Sequence, residues 1–123
     1  MSSQPEQLRD RTKAFALRVI RLFRSLPYKT DTQVLGKQLL RCGTSVAANY
    51  RAVCRARSKA EFIARMGIAA EEADEAVLWL ELLTESGIVK VEMTEGLLKE
   101  AKELAAILTA SQQTAKKDGV TRF

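Results

Sequence analysis

Apolar residues recur at alternating spacings of three and four in four separate stretches of the chain, the period of a helix with one buried face. In the first stretch Leu8, Thr12, Phe15, Val19, Leu22 and Leu26 share a face. Pro5 suits a first turn and Pro27 stops the element, which predicts a helix over about residues 5–26. The second stripe is Leu35, Leu39, Cys42, Val46, Tyr50 and Val53, with Asp31 or Thr32 as the cap, and predicts a helix over about 32–56. Ser58 and Glu61 have capping-box spacing and open a third helix over about 59–86. Its seam is Phe62, Met66, Ala69, Ala73, Ala76, Leu80 and Leu83, and Gly87 is placed to end it in a left-handed turn. Thr94 reads as the cap of a fourth helix over about 95–112, with Leu97, Ala101, Leu104 and Leu108 facing inward.

The one strand-like run, Ile88 to Met93, has no partner with which to form a sheet. Four helices joined by short connections pack as antiparallel neighbours, because a short loop cannot return the chain to its starting end. The expected fold is therefore all-α, an up-down-up-down antiparallel four-helix bundle. Residues 1–113 form its single domain and residues 114–123 a flexible C-terminal tail.

Composition narrows the chemistry. The chain has 123 residues, 46% of them hydrophobic and 28% charged, which suits one folded domain. No apolar run reaches the roughly 18 residues of a membrane helix, and the polar start lacks the apolar core of a signal peptide, so the expectation is a cytoplasmic protein that does not engage membranes. Histidine is absent. This removes the commonest general base and metal ligand, and two cysteines are too few for a thiolate-only zinc site. A non-enzymatic protein without metal or cofactor is expected. Cys42 and Cys54, about 18 Å apart along one helix, cannot bond to each other and read as inert packing residues.

Charge is distributed unevenly. Residues 1–60 carry 13 Lys/Arg against 3 Asp/Glu, whereas residues 61–115 carry 4 against 11. Between Asp31 and Glu61 there is no acid, but Lys37, Arg41, Arg51, Arg55, Arg57 and Lys59 all fall there. At about 100° per residue Lys37, Arg41, Arg51 and Arg55 lie within roughly an 80° arc opposite the core stripe. The first helix adds Arg9, Arg11, Lys13, Arg18, Arg21 and Arg24. Such a face is either an ordinary solvated one or a contact for phosphates or an acidic partner.

Other positions carry structural expectations. Gln38, Ser45 and Asn49 flank the second stripe and are placed to hydrogen-bond across helices. Gly36, Gly43, Ala47 and Cys54 make a line of small residues that permits close helix approach. Ile68, Trp79 and Leu82 form a second apolar line on the third helix beside the acids Glu71, Glu72, Asp74 and Glu75, which suggests a subunit contact. The opposite charges of the two halves suit a head-to-tail contact between copies.

The string Gln38, Arg41, Ser45-Val46, Asn49-Tyr50-Arg51-Ala52, Ser58-Lys59, Glu61-Phe62-Ile63, Gly67-Ile68-Ala69, Glu71 to Glu75 and Trp79-Leu80 resembles the bacterial four-helix-bundle proteins encoded within intervening sequences of 23S ribosomal RNA genes. Accessory proteins of diversity-generating retroelements are similar. The resemblance implies a non-enzymatic bundle that assembles into a homopentamer and binds RNA or DNA. Members often carry Glu-Gly or Glu-Ala after the asparagine, where this chain has Arg51-Ala52. Together these readings favour nucleic-acid binding through Lys37, Arg41, Arg51, Arg55, Arg57, Arg18 and Arg21. The alternative is an adaptor whose basic face meets a protein such as a reverse transcriptase.

Overall fold

The computed structural model describes residues 3–118, which form four α-helices: α1 (Gln4–Ser25), α2 (Thr30–Cys54), α3 (Lys59–Glu85) and α4 (Val91–Asp118). No strand occurs among the described residues. Consecutive helices pack side by side, α1 closes on α4 through a narrower contact, and the diagonal backbones stay apart. Cross-helix contacts show the directions. Gly36 lies against Phe23 and Leu26 while Gly43 lies against Val19, so α1 and α2 are antiparallel. Arg41 reaches Glu72 and Glu75 while Asn49 reaches Arg65, which runs α3 against α2. Thr84 meets Thr94 at one end of α3–α4 and Gln112 meets the Ile63 carbonyl at the other. This is the up-down-up-down bundle that the short connections require.

The periodic stripes are the core. Phe15, Val19, Leu39, Cys42, Val46, Ala73, Leu80, Leu83, Leu104 and Leu108 are all almost fully sealed from solvent. Leu35 and Phe62 sit half-buried at its margin. The glycines of α2 are part of the packing. A Cβ on Gly43 would stand 2.8–3.0 Å from the branched side chain of Val19, so the absence of a side chain lets the two backbones approach.

The first turns of α1, α2 and α3 depart from expectation in detail, while α3 ends as expected. The α1 cap is Ser3, whose hydroxyl accepts from the Glu6 N–H while the Glu6 carboxylate accepts from the Ser3 N–H; Ser3-Gln4-Pro5-Glu6 is a full capping box one residue ahead of the expected start. Helix α2 starts at Thr30 with Lys29 as a cap that makes no side-chain bond. Asp31 instead accepts from the Thr32 N–H at 2.7 Å, and Thr32 is buried. At α3 Ser58 accepts from the Glu61 N–H as expected, but the Glu61 carboxylate turns to the Arg57 N–H. Gly87 has the left-handed φ of 81° and donates to the Thr84 carbonyl, ending α3.

The largest difference is α4. It begins at Val91, so Thr94 lies inside it, buried, with its hydroxyl 2.7 Å from that of Thr84. Buried Val89 and its N–H bond to the Leu83 carbonyl dock the link that precedes it. At its other end α4 continues to Asp118, so residues 114–118, expected as tail, are helical. The Gln112 side-chain amide donates to the Ile63 carbonyl at 3.1 Å, which ties these last turns to the start of α3. The rest of the expected tail lies outside the described residues. No described helix is long and apolar enough to cross a membrane.

Candidate nucleic-acid interface

The outer faces of α1 and α2 bring together cations that the core stripes leave pointing outward. Lys13, Arg21 and Arg24 of α1, Lys37 and Arg51 of α2, and Arg55 just past the end of α2 are exposed and form no ion pair among the described residues. Each helix turns its apolar face to the bundle, so these cations lie on the outward faces of two adjacent helices. Asp10 is paired with Arg9 at 3.6 Å, and Asp31 is engaged with Thr32.

Three of the seven residues expected to contact nucleic acid are placed differently. Arg41 is not free: its guanidinium donates to both Glu72 oxygens at 3.0 and 3.2 Å, to Glu75 at 2.9 Å, to the Gln38 side-chain oxygen at 3.3 Å and to the Cys42 sulfur at 3.2 Å. The acids are on α3, so no inspection of α2 alone could show the pairing. Arg18 lies at the α1–α4 seam with its guanidinium over Gly96, where a Cβ would come within 3.1 Å of it. Arg57 stands 3.9 Å from the Glu61 carboxylate. Arg18 and Arg57 are nonetheless exposed, as are Lys37, Arg51, Arg55 and Arg21.

The Arg41 cluster has its own electrostatics. Hydrogen bonding to Glu75 above all holds the Arg41 guanidinium more firmly protonated than usual. Desolvation alone would raise the Glu75 carboxyl, but hydrogen bonding to Arg41 and its positive charge, with a further hydrogen bond from the Cys42 thiol, outweigh it and hold the group below the ordinary carboxylate range. The Cys42 thiol is pushed up to about 12 by burial and by the Glu75 charge, so it stays protonated at neutral pH. Cys42, Glu72 and Glu75 place donor atoms within 4.8 Å of one another. The positive charge those donors face is the arginine's own.

The polar residues flanking the α2 stripe all serve the α2–α3 seam. The Asn49 amide donates to the Ser45 carbonyl and hydroxyl, both at 2.9 Å, while its oxygen accepts from Arg65 of α3 at 3.3 Å. Gln38 steadies Arg41. A second ion pair spans the α1–α4 seam, where Arg11 holds Glu100 at 2.7 Å through two nitrogens and Glu103 at 3.1 Å.

On α3, Ile68 and Leu82 are exposed, and Leu78 joins them. Trp79 differs: it is half-buried against the core, with its indole N–H sealed from solvent and unpartnered. At about 90° from the core seam it falls on the flank where α2 packs, which is why it is covered within one chain. Cys54, expected to pack, is exposed. Tyr28, in the α1–α2 connection, is the residue most plainly missed; its signal was an aromatic directly after the helix-stopping Pro27 and before Lys29.

Comparison with known proteins agrees with this architecture. A search of curated proteins finds no match. The chain is similar to a protein with unknown function from the S23 ribosomal protein family of Bacteroides thetaiotaomicron, known from a crystal structure, at 33% identity. The superposition covers 91% of this chain and all of that one, with a TM-score of 0.83. Residues 7–110 match the family described as 23S rRNA-intervening sequence protein. With nearly the whole bundle inside that match, the chain belongs to the 23S rRNA-intervening sequence protein family.

Proposed function

We propose that this protein is a non-enzymatic bundle that binds nucleic acid through phosphate contacts from the outer faces of α1 and α2. The observation that carries this reading is the set of exposed cations without ion pairs, Lys13, Arg21, Arg24, Lys37, Arg51 and Arg55, on two adjacent helices and the cap of the second. Lys37 and Arg51 are 14 residues apart, about 21 Å along α2, with Arg55 just beyond its end, a span that offers several phosphates a partner at once. The resemblance to the intervening-sequence bundle proteins, which implies RNA or DNA binding, agrees with a polyanionic partner of this kind. Arg41 contributes little, because Glu72 and Glu75 already neutralise it.

Electrophoretic retardation of RNA and duplex DNA at low salt tests the reading. Phosphate contacts release counterions, so binding weakens steeply with salt, and each contact removed lowers the slope of log K against log salt by about 0.7–0.9. Replacing Lys37, Arg51 and Arg55 by Ala flattens the slope and weakens binding, whereas Arg41→Ala changes it far less. Absence of retardation at low salt, or retardation unaltered by the triple replacement, refutes the proposal and favours an adaptor whose cations meet a protein such as a reverse transcriptase.

Self-association belongs to the same reading. Ile68, Leu78 and Leu82 expose apolar surface beside Glu71 and Asp74, and the cations of a second copy complement those acids. Trp79 supports this contact from beneath rather than as its exposed anchor. Five copies is the number that the family resemblance implies. Light scattering that gives the 13.7 kDa monomer at micromolar concentration refutes assembly, and Leu82→Glu is expected to weaken it.

A further inference from the structure

Among the described residues the exposed large apolar side chains fall into two groups. Seven lie on helices and are 39–57% exposed; Tyr28 lies in the α1–α2 connection and is 93% exposed. Its ring contributes almost nothing to the fold and makes no hydrogen bond among the described residues.

The backbone beneath the ring is firmly held. Leu26 before it and Thr32 after it are buried. The Pro27 carbonyl accepts from the Lys29 N–H at 3.0 Å and from the Gln33 side-chain amide at 3.4 Å, while the Gln33 N–H donates to the Lys29 carbonyl at 2.8 Å. Pro27, directly before the ring, also has its own φ fixed by its pyrrolidine. Binding to the ring therefore costs little ordering of the loop, since only the side-chain torsions of a rigid aromatic remain to be settled.

The charge near the ring is mainly positive. Arg24, one turn back on α1, and Lys29, next in the chain, are exposed and without ion pairs, against the single carboxylate of Asp31, which accepts from the Thr32 N–H and hydroxyl. From Arg24 the exposed cations continue along α1 through Arg21 to Lys13, and Lys37 begins the matching series on α2. An aromatic face flanked by two cations, at the end of a longer cationic strip, matches a nucleotide: the base for the ring and its phosphates for the cations.

We propose that Tyr28 stacks on an unpaired nucleobase, so that the protein prefers single-stranded or overhanging nucleic acid to a closed duplex. The inference rests on the phosphate-binding reading above. A base inside a duplex has both faces covered by its neighbours, and only an unpaired one can offer a face to a ring projecting from a loop.

The test compares three fluorescein-labelled probes by anisotropy at low salt: a single-stranded oligouridylate of 20 nucleotides, an abasic strand of the same length, and a blunt RNA duplex. Stacking is worth about 1–3 kcal/mol per base, and at the low end suited to an exposed ring Tyr28→Ala is expected to weaken the uridylate complex about 5- to 10-fold. Binding of the abasic strand and the duplex stays as in the wild type, and Tyr28→Phe retains the uridylate affinity. Circular dichroism checks that the exposed substitution leaves the helices intact. Equal affinity of Tyr28→Ala and wild type for the uridylate, or an equal loss on all three probes, overturns the stacking contact. If in the same experiment the Lys37, Arg51 and Arg55 replacements still weaken binding, the phosphate reading stands and only the stacking contact falls. A wild-type protein that binds none of the probes refutes both.

Discussion

Gly43→Ala sets two known effects against each other at one atom. Alanine is favoured over glycine inside a helix by about 0.8–1 kcal/mol, so an open site would gain stability. Gly43 is not open. The added Cβ would lie 2.8, 2.9 and 3.0 Å from Cγ2, Cγ1 and Cβ of Val19, well inside carbon–carbon contact distance near 3.5–4 Å. Val19 is fully buried and branched at Cβ, with one strongly preferred helical rotamer, so it cannot rotate away. The α1 and α2 backbones must separate, and overpacking of this kind costs about 1–3 kcal/mol. Net destabilisation of about 1 kcal/mol is expected, a fall in Tm of roughly 3–6 °C for a domain of this size. Urea denaturation followed at 222 nm measures the free energy and calorimetry the Tm. The decisive comparison uses Val19→Ala as background, because the space left there accommodates the new methyl and Gly43→Ala should become neutral or stabilising. A stabilising Gly43→Ala in the wild-type background would refute the close-approach argument. Gly67→Ala is a useful contrast: the nearest atoms to its Cβ belong to the Gln112 side-chain amide, which can swing aside at the loss of one hydrogen bond.

Alkylation of the native protein at neutral pH is expected to add one group, at exposed Cys54, and a second at Cys42 only after unfolding; rapid double labelling of native protein would contradict the burial and raised thiol of Cys42. The lowered Glu75 carboxyl contributes stability that is present above the ordinary carboxylate pKa of about 4.5 and lost as pH falls through the lower folded value. Glu75→Gln should therefore flatten the acid limb of a stability–pH profile, and an unchanged limb would place the acid sensitivity elsewhere. Arg11→Met strips the partner from Glu100, whose side chain is only 18% exposed, and should cost about 1 kcal/mol in chemical denaturation. An unchanged midpoint would show that the α1–α4 seam closes without the pair.

What the chain determined by itself is the content of each helix. Periodicity assigns Leu8 to Leu26, Leu39 to Val53, Met66 to Leu83 and Leu97 to Leu108 to inward faces, because a 3.6-residue period refers only to the helix's own axis. Local stop signals worked for the same reason, as at Pro27 and Gly87, whose effects act within one turn. The cations of α2 were likewise readable as an outward arc. Their pairing was not: Arg41 is neutralised by Glu72 and Glu75, more than 30 residues later, and only the register of α3 against α2 brings them within 3.2 Å. Trp79 shows the same limit, since a residue about 90° from the seam is exposed or covered according to which neighbour lies on that flank. The Gln112 bond to the Ile63 carbonyl carries α4 past its last large apolar residue, beyond the reach of any pattern. Tyr28 could be assigned to a loop from Pro27, but its 93% exposure follows from how buried Leu26 and Thr32 anchor that loop at the end of the bundle. Faces are local properties of a helix; flanks, ion pairs and exposed tips are set by long-range packing of one helix against another.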